Sequence, residues 1–161
     1  MKRSLVAVTL AALVPAAGSA SSTKSSACLP LLRLPPAAAA GERTLFGHVK
    51  SLTRKGNRFE LRFDPALWLT GVTARRAKLE DTGSSDVPND YYIRDESHRL
   101  LTYLVPSTAR VTVLRRGTCT TRISVVRFAN ATAQTRRPGF WIRVAGRSGD
   151  SVVSLDQQYV P

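Results

Sequence analysis

From residue 58 the chain reads Arg58-Phe59-Glu60-Leu61-Arg62-Phe63, three large apolar side chains alternating strictly with three charged ones. A period of two marks a strand with one buried face, because successive side chains point to opposite sides of a pleated backbone. On a helix Leu61 would face away from Phe59 and Phe63, so the three could not share one face. This segment is therefore expected on a sheet that covers a core. Residues 44–53 precede it across the turn Arg54-Lys55-Gly56-Asn57, which predicts a β-hairpin.

The pattern recurs along the chain. Residues 100–105, 110–115, 120–128, 139–145 and 151–159 read as five further strands, and Pro106, Gly117, Pro138 and Gly149 punctuate the connections. Asp64-Pro65 is expected to stop the second strand, since proline has no N–H for the ladder. Ala66-Leu67-Trp68-Leu69 then reads as a helical turn with Trp68 in the core, residues 72–80 as a short helix capped around Gly71 to Thr73, and residues 83–90 and 129–138 as loops. Seven strands and at most one short helix predict a mainly β fold. The expected architecture is a single antiparallel barrel, OB-like or a similar small barrel, with a β-sandwich as the alternative.

The ends of the chain set the expected location. Lys2 and Arg3 precede an uncharged run at residues 5–14, and Gly18-Ser19-Ala20 supplies small residues for cleavage, so residues 1–20 read as an export signal. The run is far shorter than the roughly 20 residues that span a bilayer, and no transmembrane helix is expected in the mature chain. Residues 21–41 are rich in Ser, Ala and Pro and read as an arm or linker; residues 42–161 form the expected single β-rich domain. The expected location is secreted or at the cell envelope.

The chain carries 24 Lys and Arg against 11 Asp and Glu, a net charge of +13. Arginines dominate beyond residue 100, whereas Glu80, Asp81, Asp86, Asp90, Asp95 and Glu96 cluster, so a charge-polarised surface is expected. An exported basic protein meets anionic wall polymers and lipid head groups, and intracellular nucleic acid is not an expected partner. Cys28 and Cys119 are the two cysteines, and in an oxidising compartment a disulfide between them is the expectation.

Candidate chemistry is sparse. Gly149-Asp150-Ser151 has the look of a serine-hydrolase block, but no histidine follows it to take the serine proton, so a hairpin turn is the better reading. No phosphate-binding glycine loop, metal motif or cofactor signature is present in the sequence, and no cofactor is expected. In Gly139-Phe140-Trp141-Ile142-Arg143-Val144, alternation turns Trp141 and Arg143 outward together, a pairing suited to stacking on sugars, bases or head groups. Tyr91 and Tyr92 point to opposite faces, so one of them is available to join that surface.

Thr118-Cys119, with His48 upstream and Arg127 downstream, resembles the Cys, His and Arg order of sortases. That resemblance implies an exported β-barrel transpeptidase with a thiolate nucleophile, a proton-handling histidine and an arginine that steadies developing charge. Only Thr118-Cys119 matches the family's stretch, because Arg115-Arg116-Gly117 stands where Thr-Leu-x is found. His98, in Asp95-Glu96-Ser97-His98-Arg99, offers a second enzymatic reading, a hydrolase using a histidine beside carboxylates. Phe63-Asp64-Pro65-Ala66-Leu67-Trp68-Leu69-Thr70-Gly71, Val87 to Asp95 and Ser154-Leu155-Asp156-Gln157-Gln158-Tyr159 together resemble small exported proteins of high-GC bacteria without an assigned activity. The leading expectation is a non-catalytic exported β-domain, a binding or structural module of the envelope; the alternative is an exported enzyme.

Overall fold

A computed structural model describes residues 36–95, 99–115, 119–132, 138–146 and 149–160. The first two strands, β1 (Arg43–Lys55) and β2 (Arg58–Thr70), form an antiparallel hairpin closed at Gly56, whose positive φ of 61° suits the tight turn. The expected alternation holds: Phe59, Leu61 and Phe63 are buried while Arg58 and Arg62 are exposed.

β2 does not stop at Asp64-Pro65. Gly47 faces Pro65 across the hairpin, and a Cβ on Gly47 would run into the Asp64 carbonyl and lie 2.8 Å from the Pro65 Cα. Glycine there lets the two backbones close up, so the strand continues through the proline to Thr70 and Ala66 to Leu69 form no helical turn.

Helix α1 (Gly71–Thr82) follows, ending on Gly83 in the left-handed region at φ 76° with its N–H on the Leu79 carbonyl at 2.9 Å. Its only buried residues are Ala74 and Ala77. A strand missing from the sequence-based expectation, β3 (Tyr91–Arg94), returns antiparallel to the end of β2. β4 (Leu101–Pro106) pairs with the first half of β2, and β5 (Arg110–Arg115) pairs with β6 (Cys119–Ile123).

The stretch expected as one strand over 120–128 breaks at Ser124. Its hydroxyl accepts the Arg127 N–H at 3.2 Å, a cap that starts α2 (Val125–Thr132). A β-branched run reads as strand in isolation, but Val125 and Phe128, three apart on the helix, both enter the core, with Phe128 5.2 Å from Phe140 between ring centroids. The described residues thus form two helices where at most one was expected, and α2 occupies the start of the expected 129–138 loop.

β7 (Gly139–Ala145) and β8 (Ser151–Gln157) complete one large mixed sheet ordered β3-β2-β1-β7-β8-β5-β6, with β4 joined to both β2 and β8. The β5–β8 and β4–β8 pairings are parallel, so the sheet is not wholly antiparallel as expected. Pairings run in a circuit, β1–β2–β4–β8–β7–β1, whose β4–β8 link is Leu104 opposite Ser151 with the Leu104 N–H on the Asp150 carbonyl at 2.8 Å. Inside lie Leu61, Phe63, Val105, Phe140, Ile142, Val152 and Leu155, each essentially fully buried. Burying each such side chain is worth about 1.5–3 kcal/mol, which makes this the dominant stabilising region. Among the described residues, no helix is long and apolar enough to cross a membrane.

Candidate functional site

The outward sides of β1, β2 and β7 carry a cluster of aromatic rings. Phe46 and Trp141 are register partners with centroids 5.0 Å apart, and Trp68 lies 4.9 Å from Phe46 and 5.7 Å from Trp141. Tyr91 on β3 stacks on Trp68 at 4.1 Å and 14°. A cavity of about 340 Å³ opens beside them, bounded by Phe46, Pro65, Leu67, Trp68, Arg94 and Trp141 among others.

Trp141 does point outward, as the alternation requires, but it is 7 % exposed and its indole N–H donates to the Gln158 side chain at 2.9 Å. It is a packed residue of the outer face rather than a free stacking platform. Trp68, expected in the core, is half-buried on the cavity wall, because β2 runs on past Pro65 and keeps its alternation. Arg143 is committed as well, donating to Ser154 at 3.0 Å and pairing with Glu42 at 3.2 Å.

Tyr91 and Tyr92 face opposite ways. Burial first, and then the nearby Tyr159 phenol, raise the Tyr91 pKa above its ordinary value. Tyr92 turns to α1 and donates to Asp81 at 3.1 Å; desolvation first, then that hydrogen bond, raise its pKa. Arg94 bridges Asp81 at 2.8 Å and Glu80 at 3.3 Å, and Arg76 pairs with Glu80. Part of the acidic cluster therefore serves to hold α1 on β3.

Cys119 is 8 % exposed and is not a free thiol. His48 lies on β1, four strands away along the order β1-β7-β8-β5-β6, and Arg127 lies exposed on α2. The structure does not bring His48 and Cys119 onto neighbouring strands: β7, β8 and β5 stand between β1 and β6 in the sheet order. Cys28, His98 and the signal at 1–20 fall outside the described residues. Gly149 N–H to the Gly146 carbonyl at 3.0 Å makes the β7–β8 turn in which the hydrolase-like block sits.

Asp64 is 2 % exposed and pairs with Lys50 at 2.5 Å, opposite His48 in register, while its Oδ1 lacks a partner. Among the described residues no group of three or more His, Cys, Asp or Glu is placed to hold a metal ion.

Of the arginines beyond residue 100, Arg110 and Arg143 pair with Asp156 and Glu42, while Arg115, Arg122 and Arg127 stand exposed. A further exposed basic strip lies on the β1–β2 hairpin, where Lys55 is the register partner of Arg58, Arg62 follows two pleats along, and Arg54 stands at the rim. Among the described residues, the only carboxylate on this outward row is Glu60, and none forms an ion pair with Arg54, Lys55, Arg58 or Arg62; Arg54 bonds the Gly56 carbonyl at 3.2 Å and Arg62 the Thr102 hydroxyl at 2.8 Å. The signal for this strip was present in the alternation that placed Phe59, Leu61 and Phe63 inward.

Comparison with protein-family models, with curated proteins and with solved structures yields no match for this chain.

Proposed function

We propose that the chain is a non-catalytic, exported binding module of the cell envelope that holds an anionic polymer or anionic lipid head groups on the basic strip of its β1–β2 hairpin. The observation that carries this reading is the strip itself. Arg54, Lys55, Arg58 and Arg62 stand exposed without ion-pair partners among the described residues, whereas Lys50, Arg76, Arg94, Arg110 and Arg143 are each spent on a carboxylate. Unneutralised cations on one hairpin attract a polyanion and release its counterions on contact.

The strand circuit supports a small-barrel reading of the fold. Its five members, in chain order β1, β2, β4, β7 and β8, match the five-stranded, partly open barrel of the OB type, in which the face of the second and third strands and the first and fourth loops hold oligonucleotides or oligosaccharides. Here those strands are β2 and β4, and the first loop is the Lys55 to Arg58 turn. The basic strip lies on that face.

Export rests on the residue 1–20 signal, and it provides the oxidising setting in which Cys28 and Cys119 pair. The absence of a free thiol at Cys119, in a chain with one other cysteine, supports that disulfide. The enzyme alternative has no comparable support, since β7, β8 and β5 stand between the strands of His48 and Cys119 in the sheet order.

Binding of the mature chain to polyphosphate and to vesicles containing anionic phospholipid, at low and moderate salt, tests the reading. Affinity that falls steeply with salt and is lost in Arg58→Glu with Arg62→Glu is the expected outcome. Salt-insensitive binding, or retention of binding in the double variant, would contradict it.

A further inference from the structure

The β1–β2 hairpin forks at its open end. Its register runs from Lys55 opposite Arg58 to Phe46 opposite Ala66 and stops there, although β1 begins at Arg43 and β2 continues to Thr70. Beyond that pair Arg43 to Leu45 stay with β7, and Leu67 to Thr70 pair with β3. The cavity of about 340 Å³ occupies the fork, with Thr44 to Phe46 on one arm and Pro65 to Trp68 on the other. Successive strand residues point to opposite sides, so the fork is lined from both faces of the sheet, by Phe46 and Trp68 from the outer face and by Leu45 and Leu67 from the inner.

The wall is rich in hydrocarbon, and its polar side chains are largely engaged. Phe46, Trp68 and Trp141 meet at centroid separations of 4.9, 5.0 and 5.7 Å, and Leu67 is 45 % exposed. The Thr44 hydroxyl already donates to the Pro36 carbonyl at 3.0 Å, and the Trp141 indole N–H to Gln158 at 2.9 Å. Arg94 on the wall is balanced by Asp81 at 2.8 Å and Glu80 at 3.3 Å. A sugar or a nucleobase brings several hydroxyls or ring nitrogens that such a wall does not match, and an unmatched polar group costs free energy when it leaves water. A hydrocarbon chain needs no partner and gains by leaving water. The volume falls at the lower end of the roughly 300–1,000 Å³ of small-ligand pockets.

We propose that the fork is a binding site for a hydrocarbon chain, the tail of a lipid whose head group is uncharged. The two carboxylates on Arg94 leave no net positive charge at the rim for an anionic head, which sets this site apart from the basic strip. The two sites are also distant: Phe46 and Lys55 stand nine residues apart on β1, about 30 Å along the strand. The inference does not depend on the strip, and uncharged ligands separate the two in solution.

The chain carries two tryptophans, Trp68 and Trp141, and both stand on the wall, so its own fluorescence reads occupancy. The intact mature chain is titrated with octyl, decyl and dodecyl maltoside below their critical micelle concentrations, with maltose as the chainless control and laurate as the anionic one. A blue shift of tryptophan emission is expected, with affinity rising by up to about fourfold for each added methylene until the cavity is full. Maltose is expected to give no response, and laurate to bind no tighter than dodecyl maltoside. Leu67→Gln, at an exposed position outside the core, is expected to weaken dodecyl maltoside binding at least fivefold. Ala66→Leu, which fills the cavity with hydrocarbon instead of making it polar, is expected to weaken it by at least as much.

Equal affinity across the three chain lengths, or an equal response to maltose, would overturn the hydrocarbon assignment. Tighter binding of laurate would overturn the uncharged head in favour of a carboxylate on Arg94. Retention of affinity in both variants, or a response that begins only at micelle formation, would overturn the site. Emission already blue-shifted and unmoved by every maltoside would overturn it in favour of a fork filled by the chain itself or, where emission shifts on dilution, by a second copy.

Discussion

The two halves of β2 are held in place by different physics. From Arg58 to Phe63 the strand sits between β1 and β4 with Leu61 and Phe63 at 0 % exposure, inside a continuous apolar cluster. From Leu67 to Thr70 it carries β3 and α1, where the helix buries only Ala74 and Ala77 and leaves Val72 at 79 % and Leu79 at 51 % exposure. Salt bridges and hydrogen bonds among Arg94, Glu80, Asp81 and Tyr92 fasten that half. Surface ion pairs are worth about 0–1 kcal/mol each, whereas one fully buried leucine is worth about 1.5–3 kcal/mol. The first half therefore carries the fold, and the second is an appendage able to open locally without unfolding the rest.

The largest effect is expected in the first half. Leu61→Ala leaves a cavity in the centre of the circuit and should cost about 2–5 kcal/mol, read as a lower denaturant midpoint for the whole domain. Loss of that size at Arg94 instead would erase the distinction between the halves. Trp68→Ala, at the junction, removes the stacking on Tyr91 and the contacts to Phe46 and Trp141; a cost of about 1–3 kcal/mol is expected, with the cavity wall disordered first. Arg94→Ala should lower global stability by less than about 1 kcal/mol and yet speed amide exchange in α1 and β3, while β2 from Arg58 to Phe63 keeps its protection.

The smallest effect is alkaline. Tyr103, in the core half, has its pKa raised by burial against an opposing contribution from Arg43, and Tyr92, in the appendage, has its own raised by desolvation and by Asp81. A phenol whose folded pKa lies above the unfolded value of 10.0 contributes stability that is present below pH 10 and lost as pH rises through the folded pKa. Global stability should thus decline above pH 10. Tyr103→Phe should flatten that decline in a global unfolding measurement, and Tyr92→Phe should flatten it only in local exchange of α1.

The same contrast explains what was legible in the sequence. The hairpin, the inward set Phe59, Leu61 and Phe63, and the strands on either side of the β7–β8 turn follow from local alternation and turn residues. What escaped depends on partners distant in sequence. β2 passes through Pro65 because Gly47 on another strand makes room, and Val125 to Phe128 become helical because Ser124 caps them over a core assembled elsewhere. β3 exists because the end of β2 offers an edge and α1 supplies carboxylates. For the site, alternation placed Trp141 outward but was blind to the burial of that face, and counting arginines after residue 100 overlooked that Arg110 and Arg143 meet Asp156 and Glu42.

The binding role turns on whether the hairpin that builds the core also presents the charge. Affinity of the mature chain for polyphosphate, measured against salt for the unaltered protein and for Arg58→Glu with Arg62→Glu, tests that most directly. The account predicts a steep fall of affinity with salt, and a loss of at least tenfold with a shallower salt slope in the double variant, at unchanged thermal stability. Equal affinity and equal salt slope for the two proteins would contradict it.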